Sequence, residues 1–149
     1  MEAELSKRVF EKDGLTYTVR RVVDEDPDLS HLGTFSDAYQ DGAIEHGNER
    51  LNVYRYFIPE NPEYGQQDYE RMLAFDHGKW CMVGITVDIS IKTKTNWAVP
   101  PVVGRASVWG VESDSEESYF TELENEMIRE AEADLKNLKA ALCKKGGRP

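Results

Sequence analysis

Between residues 81 and 92 the chain alternates without a break. Cys81, Val83, Ile85, Val87, Ile89 and Ile91 are apolar, and Met82, Gly84, Thr86, Asp88, Ser90 and Lys92 lie between them. Six matches at period two predict a strand over this stretch. The same period runs through Leu15, Tyr17 and Val19, with Thr16, Thr18 and Arg20 on the other face. Lys7–Lys12 precedes that run, and Asp13-Gly14 between them fits both positive-φ positions of a tight hairpin turn. Leu51–Ile58 is aromatic and β-rich and stops at Pro59, which predicts a further strand; Val103–Val111 should pair antiparallel with the strand before it.

The period then changes. Phe120, Leu123, Met127, Ala131, Leu135, Leu138 and Leu142 step by three or four, which predicts a long helix with this stripe buried. Ser113 with Glu116, or Ser115 with Ser118, offers capping-box spacing at its start, and Cys143 lies near its end. A short helix is predicted over Asp37–His46, capped by Ser36 and weakened by Gly42. Another is predicted over Gln66–His77, with Tyr69, Met72, Leu73 and Phe75 or Asp76 inward and Gly78 as its stop. Asp24–Ser36 and Thr93–Val102 read as loops. The order ββ-α-β-α-ββ-α predicts an α+β fold: an antiparallel sheet of about five strands, helices packed mainly on one face, and a long acidic C-terminal helix. Residues 1–143 are expected to form a single domain and residues 144–149 a basic tail.

Charge sharpens this picture. The 149 residues carry a net charge of −10, unevenly spread. Residues 1–135 hold all 28 acids and 13 bases, a balance of −15, whereas Lys136, Lys139, Lys144, Lys145 and Arg148 follow with no acid. Such a body repels nucleic acid and anionic membranes and attracts basic protein surfaces. Cys81 and Cys143 read as free thiols of a reducing compartment rather than a disulfide framework. With no secretory or membrane-spanning apolar run, the expected location is the cytoplasm.

Motifs for catalysis are weak. Asp24-Glu25-Asp26-Pro27-Asp28-Leu29-Ser30 opens like a calcium loop, but Leu29 holds the position that needs Gly and Phe35 the one that needs a bidentate Glu. Aspartates that bond nearby backbone amides explain it better. His31, His46 and His77 lack a second ligand at zinc spacing, so no metal and no cofactor is expected. No glycine-rich phosphate loop is present. An enzyme would need Tyr54, Tyr56, His77 and the Asp24–Asp28 loop to converge in one pocket. Trp97, in a Pro-rich loop, is a candidate interface anchor.

The acids of the last helix are the sharper feature. Ten carboxylates and one base, Arg129, lie between Glu112 and Asp134. Glu122, Glu126, Glu130 and Asp134 fall at i, i+4 spacing and line one ridge. Like charges so placed repel by about 0.2–0.5 kcal/mol per pair, so the ridge does not serve the helix's own stability. It serves either solvation or a basic partner. At about 1.5 Å per residue, ten acids over 23 residues give one charge per roughly 3.5 Å, about half the density of duplex DNA. DNA mimicry would need a second row from Asp24, Glu25, Asp26, Asp28 or other loop acids.

Four stretches carry a resemblance: Asp24–Gly33 (DEDPDLSHLG), Gln67–Met72 (QDYERM), Lys79–Ile85 (KWCMVGI) and Trp109–Tyr119 (WGVESDSEESY). Together they resemble an uncharacterised family of small proteins common in phages, prophages and other mobile elements. The Trp-Gly-Val-Glu-Ser-Asp-Ser stretch before an acidic helix is its most specific part. The longer loop Lys92–Val102 and the basic tail depart from it. The resemblance carries no catalytic residues; it implies an accessory protein that inhibits a host defence or DNA-processing system. The expected function is therefore non-enzymatic binding to a basic surface of a host protein. Glu112, Asp114, Glu116, Glu117, Glu122, Glu126, Glu130, Asp134 and Trp97 are the expected contacts. An enzyme, or a virion assembly protein using Trp97 and the helix, is the alternative.

Overall fold

The computed structural model describes residues 3–46, 54–92 and 100–146, with side chains as far as Cys143. In chain order the elements are β1 (Glu4–Lys12), β2 (Leu15–Val23), β3 (Gly33–Ser36), β4 (Ile44–Glu45), β5 (Tyr56–Pro59), a 3₁₀ turn (Pro62–Tyr64), α1 (Gly65–Asp76), β6 (Met82–Ile91), β7 (Val102–Glu112) and α2 (Glu117–Gly146). The α+β class, the antiparallel pairing and the long C-terminal helix agree with the sequence pattern. The strands, however, form two sheets, and the chain divides into two compact units: Met1–Glu25 with Met82–Pro149, and Asp26–Cys81.

In the first unit, Asp13 (φ 54°) and Gly14 (φ 76°) turn β1 back onto β2, the mirror-image turn whose twist suits a hairpin. All neighbours in the sheet order β1-β2-β6-β7 run antiparallel. Register places Tyr17 opposite Ile89 and Val19 opposite Val87, so the two alternating patterns bury the same face. Helix α2 lies on that face and adds Phe120, Met127, Ala131 and Leu135 to the core. Gly104 makes the close approach possible: a Cβ there would lie 2.6 Å from the Ala131 carbonyl oxygen. On the opposite face the Trp109 ring covers Gly84 and occupies the space a side chain would fill.

The helix outruns its sheet. Thirty residues span about 45 Å, against about 30–37 Å for strands of nine to eleven. Leu138 and Leu142, expected in the buried stripe, are accordingly 40% and 60% exposed. The helix also starts later than the capping-box spacing suggests, after Glu116, whose carbonyl accepts from the Tyr119 and Phe120 amides.

In the second unit, β5 lies between β3 and β4 and α1 packs on this small sheet. Phe57 is fully buried among Phe35 and Tyr69. The helix expected over Asp37–His46 is absent. Ser36 Oγ accepts an amide as a cap would, but from Ala38 in a local turn. Gly42 then takes φ +86°, and Ile44 pairs with Phe57 instead of joining a helix. Gly33–Ser36, expected as loop, is strand β3, because Phe35 reaches Phe57 across the sheet. Of the Leu51–Ile58 strand only its C-terminal part is seen as β5; Leu51–Val53 lie outside the described residues. Helix α1 matches its expectation closely, with His77 as cap and Gly78 at φ +74° beyond it.

Candidate functional site

The acids of α2 separate into two sets with different chemistry. Glu117, Glu124 and Glu132 are spaced by seven and eight residues, two turns of helix, and face the sheet. Arg21 holds the first two: its Nε donates to Glu124 at 2.8 Å, and its terminal nitrogens donate to Glu117 at 2.6 and 3.0 Å. The guanidinium stacks on Phe120, 4.4 Å from the ring centre, and Arg8 approaches Glu124 at 3.9 Å. Bonded to two carboxylates, Arg21 holds its proton more firmly than usual, and Glu117 is in turn held below the ordinary carboxylate range. Further along, Glu132 accepts from Lys12 Nζ at 2.8 Å and Tyr17 Oη at 2.7 Å. Those bonds depress Glu132, while burial and then the Glu132 bond push the Tyr17 phenol up to about 12.

Glu122, Glu126 and Glu130 form the other set. All three are exposed, and no described residue forms an ion pair or hydrogen bond with them. They continue the expected ridge, but its fourth member has another task. Asp134 Oδ2 accepts the backbone N–H of Arg105 at 3.0 Å and so closes part of the free edge of β7. Of the remaining expected contacts, Glu112 ends β7, Asp114 sits in the following turn, and Glu116 is exposed just before α2. Glu117 is committed to Arg21. Trp97 lies outside the described residues.

Sequence reasoning missed Arg21 and Glu124, although each breaks a pattern. Arg21 is in phase with Tyr17 and Val19 on the core face, and Glu124 follows the core residue Phe120 by four. Glu124 is only 8% exposed. A charge on each of two buried stripes signals that they meet.

Beside this pair lies a cavity of about 570 Å³, lined by Ser6, Lys7, Arg8, Arg21, Glu124 and Asn125 among others. A second, of about 190 Å³, shares Ser6, Arg21 and Glu117. The third, of about 390 Å³, lies along β7 at Gly104 and Asp134. Charged and apolar side chains line all three, with hydroxyls in the first two and no imidazole or thiol among the lining residues to activate a nucleophile. Tyr54, Tyr56, His77 and the Asp24–Asp28 loop line none of these three.

In the second unit, His46 is 3% exposed, with Nδ1 2.9 Å from the Tyr69 hydroxyl. Asp76 is raised by burial, against the pull of His46 and His77. In the acidic loop, Asp28 Oδ1 accepts the Ser30 amide at 2.9 Å, the local bond expected of such a sequence. Among the described residues no cluster of three or more His, Cys, Asp or Glu is arranged to hold a metal ion. No described helix is long and apolar enough to cross a membrane. Neither a family model, nor a curated protein, nor a solved structure matches the chain.

Proposed function

We propose that this is a non-enzymatic binding protein of phage or mobile-element type, which presents the outer face of α2 to a basic surface of a host protein. The observation that carries the reading is the division of the helix acids. Glu117, Glu124 and Glu132 use intramolecular cations, while Glu122, Glu126 and Glu130 stand exposed without one among the described residues. A ridge that repels itself, on a molecule already carrying a net charge of −10, is better explained by a partner than by folding. The resemblance of the Trp109–Tyr119 stretch supplies the setting, an accessory protein that blocks a host system.

The available charge bears on the kind of partner. With Glu117, Glu124, Glu132 and Asp134 committed inside the molecule, successive ridge acids lie about 6 Å apart. Duplex DNA carries a charge about every 1.7 Å. The ridge therefore suits a row of lysine or arginine side chains better than a whole DNA-binding groove.

Titrating isotope-labelled protein with an arginine-rich peptide tests this. Resonances of Glu122, Glu126 and Glu130 should shift, with affinity falling as salt rises. The variant E122Q/E126Q/E130Q should lose the response. Shifts elsewhere on the molecule, or binding indifferent to both salt and the triple substitution, would refute the ridge as the interface.

A further inference from the structure

The two edges of the four-stranded sheet are treated differently. Edge β7 is bulged near Gly110 and receives Asp134 on the Arg105 amide. Edge β1 is bulged only at its start, between Glu4 and Ser6; its Lys7–Lys12 stretch is regular, receives no side chain on its backbone among the described residues, and is almost wholly exposed. Its hairpin determines which backbone groups are free. A two-residue turn closes on a pair that exchanges both hydrogen bonds, here Lys12 and Leu15, and the alternation continues through Phe10–Tyr17 and Arg8–Val19. The N–H and C=O groups of Lys7, Val9 and Glu11 therefore point away from β2. Their side chains stand on the face opposite α2, because Arg8 and Lys12 reach Glu124 and Glu132 on the helix.

We propose that β1 pairs with β1 of a second copy of this chain, antiparallel and centred on Val9, to form a two-fold dimer with one continuous eight-stranded sheet. The charge pattern of the strand selects this register. About Val9, Lys7 faces Glu11 of the second copy, and Glu11 faces its Lys7. Arg8 faces Phe10 of the second copy, repeating across the dimer the Arg8-over-Phe10 contact (5.2 Å) already present within one chain. Val9, 53% exposed in the single chain, meets its own counterpart. Hydrogen bonding allows only registers that oppose the outward-facing positions to one another. One step in one direction sets Arg8 against Arg8; one step in the other sets Arg8 against Lys12. Like charges directly opposite are destabilising, so both neighbouring registers are disfavoured. The existing Glu11–Lys92 ion pair (3.4 Å) is more than half exposed on both sides and yields readily.

In this dimer the Lys7, Val9 and Glu11 backbones form hydrogen-bonded pairs across the dyad. The dyad is normal to the sheet, so both α2 helices stay on the same face, and their acidic ridges line one side of the assembly. The pairing itself does not depend on what the ridges bind.

Sedimentation equilibrium of the whole chain tests it. Wild type should show a concentration-dependent dimer. Val9→Pro should stay monomeric at every concentration yet, at dilutions where wild type is itself monomeric, match its resistance to urea, since the lost N–H points outward and the β1–β2 ladder is untouched. Lys7→Glu and Glu11→Lys should each weaken the homodimer by about tenfold, because both symmetry-related pairs become repulsive. Mixing these two variants should give a heterodimer, and combining both substitutions in one chain should restore the homodimer. This reciprocal rescue cannot come from misfolding. A monomer at every concentration, a dimer unaffected by Val9→Pro, or charge swaps without mutual rescue would each overturn the proposal.

Discussion

Replacing Arg21 should be the most revealing single substitution for the fold. Its side chain is 18% exposed and its partner Glu124 only 11%, and both lie where α2 meets the sheet. Arg21→Met keeps the aliphatic stem against Phe120 but leaves the Glu124 carboxylate without its 2.8 Å donor. Breaking a buried pair by removing one partner costs about 3–5 kcal/mol. Here residual solvent access and Arg8 at 3.9 Å offset part of that, so about 2–3 kcal/mol is expected. Glu124→Leu should cost less, about 1 kcal/mol, since Arg21 keeps Glu117. The double variant replaces the ion pair with apolar packing and should fall within about 1 kcal/mol of wild type. Urea unfolding of all four proteins gives the coupling directly. With a slope of about 1–3 kcal/mol/M, Arg21→Met should lower the midpoint by about 0.7–3 M. Two single losses that simply add, with no recovery in the double variant, would show that the pair does not hold the helix to the sheet.

Three further outcomes follow from the same contacts. The Lys12–Glu132–Tyr17 cluster should act at both ends of the pH scale. Glu132 is depressed below its free value, so its contribution is present above about pH 4.5 and is lost as pH falls through the depressed value; acid titration of Lys12→Met should show less of this loss. Tyr17 is raised to about 12, so its contribution is intact below about pH 10 and is lost as pH rises through about 12, with tyrosinate absorbance as the readout and Tyr17→Phe as the control. Gly104→Ala would set a methyl against the Ala131 carbonyl oxygen and the Leu135 Cβ, and should cost about 1–3 kcal/mol in thermal or urea unfolding. Glu126→Gln removes two repulsive i, i+4 pairs and should raise stability by about 0.5 kcal/mol while weakening capture of the basic peptide. A loss of stability in that variant would mean that the ridge is structural.

What the sequence made legible divides along physical lines. Strong periods over long stretches were enough for β2, β6, α1 and α2, because one face of each is buried and the pattern must follow its geometry, whereas β1, exposed along nearly all its length, was legible through the Asp13-Gly14 turn and β7 through its pairing with the strand before it. The stretch from Gly33 to Glu45 was not legible. Its strands are four and two residues long, too short to establish a period, and Ser36 and Gly42 mimic a capped, weak helix while serving turns. The acid ridge was visible as spacing, but its internal division was not. Asp134 belongs to the Glu122–Glu126–Glu130 row by sequence, and only the approach of β7 reveals that it serves the Arg105 amide. Arg21 and Glu124 teach the opposite lesson. Each looks like an interruption of an apolar stripe when its own element is read alone. Together they identify the contact, because a charge can stay on a buried face only where an opposite charge meets it. The helix acids thus divide into those bonded within the chain, Asp134 among them, and Glu122, Glu126 and Glu130, which are exposed without a partner among the described residues, and this second group is where a partner should be sought.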